Sequence, residues 1–150
     1  MVTIRKAQHN DIPAIADMHI ESSNPHIWRT TTDQTDADPT HITYIAEKDN
    51  TPAGYISGQI QTREHMTPRT IGYIRTLYVK PEHRRQGLGH SLVKTLCSHY
   101  TTEKVDEVNL RYVIGNKEAE AFWTRLGLRP VIVTANTPLH QLTARLNGTQ

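Results

Sequence analysis

The run from Ile71 to Val113 constrains the fold more than any other part of this 150-residue chain. Ile71 to Val79 supplies Tyr, Ile, Leu and Val and reads as a strand, ended by Pro81. A helix begins from Gly87, with Leu88, Leu92, Val93, Leu96, Cys97 and Tyr100 on one face at the helical period. Val108 to Val113 is a strand again. A strand, a crossing helix and a second strand imply a parallel pair. Just before this run, Ile42 to Ala46 and Ala53 to Gln61 flank the turn Asp49-Asn50-Thr51-Pro52 and read as an antiparallel hairpin. The fold class expected is therefore α/β, with a mixed, mostly antiparallel sheet flanked by helices.

The remaining segments fill in the frame. Val2 and Ile4 open a short first strand, and Asn10 reads as the cap of a helix whose inward face is Ile12, Ile15, Ala16, His19 and Ile20. Ser22 to Thr40 is rich in Ser, Thr, Asn and Asp and reads as a loop. Gly54 and Gly58 inside a strand suggest close backbone approach. Asn116 caps a further helix with the face Ala119, Phe122, Trp123 and Leu126, and Gly127 stands at its C′ position. Val131 to Val133 and Leu139 to Leu146 read as closing strands. The length suits one domain over residues 1–150.

Composition excludes several classes. Seventeen Lys and Arg against fifteen Asp and Glu leave a net charge of +2, too small to point to nucleic acid. No apolar run approaches the ~18 residues of a membrane helix, and Met1 to Asp11 has no apolar signal-peptide core, so no membrane partner is expected. One cysteine, Cys97, permits neither an internal disulfide nor a multi-cysteine zinc site, and fits a reducing cytoplasm. Cys97 lies on an apolar stripe and reads as a buried hydrophobe. The nine histidines lack a ligand spacing, so no metal is expected.

Chemistry concentrates in Val79 to His90, where a strand ends, a basic turn follows and two glycines open a helix. The first N–H groups of a helix lack intrahelical partners, and the dipole is positive at that end. Gly87 and Gly89 permit an anion to approach the backbone, and Arg84 and Arg85 add charge. The phosphate-loop pattern fails because His90 and Ser91 follow Gly89; the dinucleotide pattern fails because Leu92 stands where a third glycine belongs. The alternative for this segment is a helix-start turn with a solvated basic patch.

Arg84-Arg85-Gln86-Gly87-Leu88-Gly89 resembles the Gln/Arg-x-x-Gly-x-Gly/Ala signature of the GNAT acetyltransferase superfamily. Leu77 to Pro81 resembles the strand before that signature. Asn116-x-x-Ala119-x-x-Phe122-Trp123-x-x-Leu126-Gly127-Leu128 resembles the family's downstream block, and the resemblance covers about residues 2–133. It implies a GNAT-like fold whose parallel strands splay at the cofactor site. It implies acetyl-CoA as co-substrate, with Leu77 and Val79 pairing the pantetheine arm and amides from Arg85, Gln86, Gly87, Leu88, Gly89 and His90 holding the pyrophosphate. Asn116 and Trp123 would lie toward the thiol end. A backbone N–H near Leu77 or Tyr78 would polarise the thioester carbonyl. The implied activity is acetyl transfer to a small-molecule or peptide amine by direct attack in a ternary complex.

Two departures bear on mechanism. Many members carry a Glu on the strand before the signature as proton acceptor, whereas Ile71 to Val79 contains no Asp or Glu and offers Tyr73 and Arg75. Glu64, His65 or Glu107 would be reached only through water. Trp123 stands where the family usually has a Tyr, and indole is a donor but not a practical acid. Tyr73 and Tyr112 are the candidate catalytic hydroxyls, and Trp28 and Tyr73 the candidate contacts to the acceptor. Asp33, Asp36 and Asp38 could attract a cationic amine. A CoA-binding sensor or interaction module without catalysis stays open beside the enzyme, as does a homodimer formed through Thr134 to Gln150.

Overall fold

The computed structural model describes residues 1–21 and 39–148, so the expectations for Trp28, Asp33, Asp36 and Asp38 lie outside the described residues. Two compact units divide it, Met1–Arg111 and Tyr112–Gln150.

The first unit holds a sheet of five strands in chain order: β1 (Val2–Lys6), β2 (His41–Lys48), β3 (Thr51–Thr62), β4 (Thr70–Val79) and β5 (Glu107–Leu110). The first three pairings are antiparallel and β4–β5 is parallel, joined by helix α2 (Leu88–Thr102), as the strand–helix–strand run required. Asp49 and Asn50 adopt positive φ of 51° and 65°, and Thr51 already pairs with Lys48. The β2–β3 turn is therefore the two-residue kind in which Asx residues carry left-handed backbone at low cost.

Side-chain alternation assigns the two faces. Ile45, Tyr55 and Tyr78 pack with Ile15 and Met18 of α1 (Ile12–Glu21) on one. Leu92, Leu96 and Tyr100 of α2 cover the other. There two strand glycines make room for Tyr100. A Cβ on Gly72 would lie 2.5, 2.7 and 2.9 Å from Tyr100 ring atoms, and one on Gly58 would lie 2.9 Å from the Tyr73 carbonyl. The Tyr100 hydroxyl donates to that carbonyl at 2.5 Å.

Several boundaries depart from the sequence expectation. Asn10 is no helix cap: it sits inside a 3-10 turn, His9–Asp11, that runs into α1. Asp11 does the capping instead, accepting the Gln8 N–H at 2.7 Å while the Arg5 guanidinium grips its carboxylate at 2.7 and 2.8 Å. β5 ends at Leu110, three residues before Val113. Cys97 is half-buried rather than buried, and burial pushes its thiol up.

In the second unit, α3 (Lys117–Arg125) begins at Asn116, whose Oδ1 accepts the Ala119 N–H at 3.1 Å, and Gly127 follows with φ 91°. The two closing strands are not formed among the described residues. Val131, Ile132 and Val133 are exposed and unpaired, because a β-branched run is a strand only where an edge accepts it. Leu139–Leu146 is a helix, α4, entered through Pro138. Leu139, Leu142 and Leu146 recur at three and four residues, the helical and not the strand period.

Candidate active site

The parallel pair opens midway along β4. Pairing with β5 runs from Ile71 opposite Glu107 to Ile74 opposite Leu110 and stops. β4 continues to Val79, and among the described strands only β3 pairs with it there. The register of β3 and β4 shifts at that point. Thr76 faces Ser57 and Ile74 faces Gly58, so Arg75 is an extra residue in a bulge. Such a bulge bends its strand and re-aims side chains.

The bond from Lys80 N–H to the Ala53 carbonyl, 2.8 Å, sets the phase beyond the bulge. In an antiparallel ladder alternate residues turn their backbone groups outward, so Leu77 and Val79 turn theirs to the edge that β5 has left. The Val79 carbonyl there accepts Arg84 Nε at 2.9 Å. Tyr78 points the other way: it is a core residue opposite Tyr55, with the Arg84 guanidinium 5.7 Å from its ring.

The turn that follows is open and positively charged. Arg85 has φ 63° and Gly87 φ 80°, two left-handed residues separated by Gln86. Gly87 caps α2, and a Cβ built on it would meet no atom within 4 Å. No acidic residue lies in the first turn, so the amides of Leu88, Gly89 and His90 face an open, positive end. Lys48 of β2 donates to Gln86 Oε1 at 2.7 Å, which brings a third cation beside Arg84 and Arg85. Open space at a left-handed glycine, helix-start amides and three cations fit a diphosphate.

On the α1 face, beside the bulge, lies a polar array. Arg75 donates to Gln59 Oε1 through Nε at 3.2 Å and Nη2 at 2.7 Å, and its guanidinium lies 4.7 Å from the Tyr73 ring centre. The Tyr73 hydroxyl donates to Gln61 Oε1 at 3.0 Å. Gln59 and Gln61 were not apparent in the sequence; their only signal is alternation opposite Tyr73. Farther inside the same face, His19 Nδ1 and the Tyr55 hydroxyl share a 2.6 Å hydrogen bond. Burial lowers the His19 pKa and raises that of Tyr55.

The carboxylates considered as proton acceptors are elsewhere. Glu107 lies opposite Ile71, about 13 Å along the strand from Arg75 at ~3.3 Å per residue. Glu64 and His65 belong to the exposed loop between β3 and β4. The second unit carries Tyr112, half-buried; Asn116, occupied as a helix cap; and Trp123, buried edge-on to Phe122 with ring centres 4.8 Å apart.

Comparison with known proteins places this geometry. A family model described as the acetyltransferase (GNAT) family matches residues 10–128. No curated protein matches by sequence. Among solved structures, a mutant protein from Bacillus halodurans superposes with a TM-score of 0.77 at 21% identity, over 91% of this chain and 99% of its own. An acetyltransferase from Trypanosoma brucei gives 0.73 at 20% identity, over 93% and 100%. The glucosamine-6-phosphate N-acetyltransferase of Arabidopsis thaliana gives 0.74 at 16% identity, over 93% and 99%. These likenesses establish the shared fold.

Proposed function

Because the chain belongs to the acetyltransferase (GNAT) family, we propose that it transfers an acetyl group from acetyl-CoA to an amine by direct attack in a ternary complex. One observation carries the cofactor half of this reading: a left-handed Gly87 with empty space at its Cβ position, opening α2 directly after a strand that has lost its neighbour. In this reading the amides from Arg85 to His90 and the side chains of Arg84 and Arg85 hold the pyrophosphate. The outward backbone of Leu77 and Val79 pairs the pantetheine arm as a sheet edge pairs an extended peptide. That arrangement brings the thioester to the opening beside Arg75, where a backbone N–H near Leu77 or Tyr78 polarises its carbonyl. Asn116, Trp123 and Tyr112 enter only through the resemblance of their segment to the family's downstream block.

The acceptor must attack as a neutral amine. A lysine-like amine has a pKa of ~10.4, so roughly one molecule in a few thousand is neutral at pH 7. With no carboxylate on β4, the proton leaves to a hydroxyl or to water, and Tyr73 is the nearest tyrosine hydroxyl to Arg75 along the strand. The leaving thiolate needs little help, since a thiol pKa is about 8.5. Positioning therefore carries most of the rate. The acceptor is a small-molecule or peptide amine, and the compartment we assign is the cytoplasm.

The test is release of free thiol from acetyl-CoA over a broad amine panel, beside calorimetric titration with CoA. Turnover on any amine supports transfer. Tight CoA binding without turnover favours the second reading, a CoA-binding module, which the missing β4 carboxylate keeps in view. No CoA binding overturns both.

A further inference from the structure

We propose that Arg75, set by the bulge in β4 and braced by Gln59, is a specificity residue that selects acceptor amines carrying a carboxylate or phosphate group. The inference rests on the acetyl-transfer reading for the place of the acceptor; the oxyanion site itself rests on geometry alone.

Arg75 is an exposed cation on an interior strand of a five-stranded sheet, where side chains are ordinarily covered. The described ion pairs of the chain join Arg5 to Asp11 and Glu47, and the N-terminus to Asp49; none involves Arg75. The described side chains it meets, Gln59 across the strands and Tyr73 on its own strand, are neutral. Among the described residues this guanidinium, a group normally found opposite a carboxylate, holds only an amide oxygen.

The way it is held matters. Gln59 Oε1 takes Nε and Nη2 from one edge, and the Tyr73 ring lies 4.7 Å away. Those contacts fix the plane of the fork, and among the described residues Nη1 has no partner. The Tyr73 hydroxyl donates to Gln61 Oε1, which fixes the oxygen end of that amide and leaves its NH₂ a donor. A fixed guanidinium with amide donors beside it matches a carboxylate or phosphate.

Position supplies the link to the reaction. Arg75 is the first residue of β4 without a β5 partner, two residues before Leu77. At ~3.3 Å per residue the guanidinium root lies about 7 Å along the strand from the backbone proposed to hold the thioester. An amine a few bonds from an oxyanion spans that interval. Amino acids and aminoalkyl phosphates share this chemistry.

The experiment compares matched pairs: β-alanine with its carboxamide for the carboxylate arm, and phosphoethanolamine with ethanolamine for the phosphate arm. For the native protein kcat/KM should favour the anionic member of at least one pair by about tenfold or more, the effect of charge-assisted hydrogen bonds. Arg75→Gln should bring that ratio to near one, and Arg75→Lys should keep part of it, with KM for acetyl-CoA unchanged. A preference that survives Arg75→Gln, or none in either arm, overturns the proposal. If no amine turns over, the same four compounds are titrated calorimetrically into the protein with CoA present. Anion-selective binding lost in Arg75→Gln then supports the oxyanion site while the transfer reading fails. Absence of binding by either anion overturns the site as well.

Discussion

Replacing Gly72 by Ala should destabilise the sheet through one ring. The added Cβ would stand 2.5, 2.7 and 2.9 Å from three atoms of the Tyr100 ring, which is 2% exposed. Carbon atoms rest at about 3.5–4.0 Å, so the ring must retreat by about 1 Å. Backbone of β3 and β4 lies beneath it and Leu96 beside it, and neither yields easily. Overpacking of this kind costs about 1–3 kcal/mol. The same retreat pulls the Tyr100 hydroxyl off the Tyr73 carbonyl, adding about 1 kcal/mol. Together the loss is about 2–4 kcal/mol, a fall in Tm of about 5–15 °C for a chain of this size. Urea unfolding followed by circular dichroism measures it, with the m-value checking that the denatured state is unchanged. The companion variant is Gly72→Ala with Tyr100→Leu. Removing the ring removes the clash, so the two changes should couple favourably by about 1 kcal/mol or more. A Gly72→Ala cost below about 0.5 kcal/mol, or strict additivity in the double variant, would refute the packing argument.

Gly87→Ala should keep the fold within about 1–2 kcal/mol, the cost of a left-handed L-residue, yet weaken CoA binding by about tenfold or more in calorimetry because its methyl occupies the anion space; an unchanged affinity would sink the cradle. Burial lowers the His19 pKa, so the folded state favours neutral imidazole: stability is full above about pH 6.5 and declines as pH falls toward the lowered value, by up to about 1.4 kcal/mol per pH unit. His19→Gln should flatten that slope in thermal melts between pH 7 and 5, and a slope left intact would place its origin elsewhere. The Arg5 guanidinium, hydrogen-bonded to Asp11, holds that carboxyl below its usual range, so this contribution is present above about pH 4 and lost as pH falls through the lowered value. Arg5→Met should cost about 1–3 kcal/mol at pH 7, less at pH 3, because it strands a buried carboxylate; equal costs at both pH values would contradict the pairing.

What could be read from the chain depended on how local its cause was. The parallel pair around α2 and the close approach at Gly58 each follow from a few adjacent residues and are present, while the turn read over Asp49 to Pro52 closes in Asp49 and Asn50 alone, Thr51 and Pro52 already pairing in β3. Val131 to Val133 was misleading because β-branching states a preference, while a strand requires a partner that sequence alone does not place. Leu139 to Leu146 was legible and misread, since its leucines keep the helical interval. The bulge at Arg75 was hidden for a different reason. It is a mismatch between the counts of two strands, and neither strand betrays it singly. For the same reason the array of Gln59, Gln61, Tyr73 and Arg75 could be assembled only from the register.

The surplus residue at Arg75 works as an expansion joint. Upstream of it, Ile71 to Ile74 keeps step with β5; downstream, Thr76 to Val79 answers, among the described strands, to β3 alone. Substitutions on one side need not be transmitted as a slip to the other. The half of the strand nearest the helix-start turn can therefore stay rigid while the half that bears Tyr73 is retuned, and deleting Arg75 would weld the two into one regular ladder, removing the bend while leaving the faces of both halves as they are.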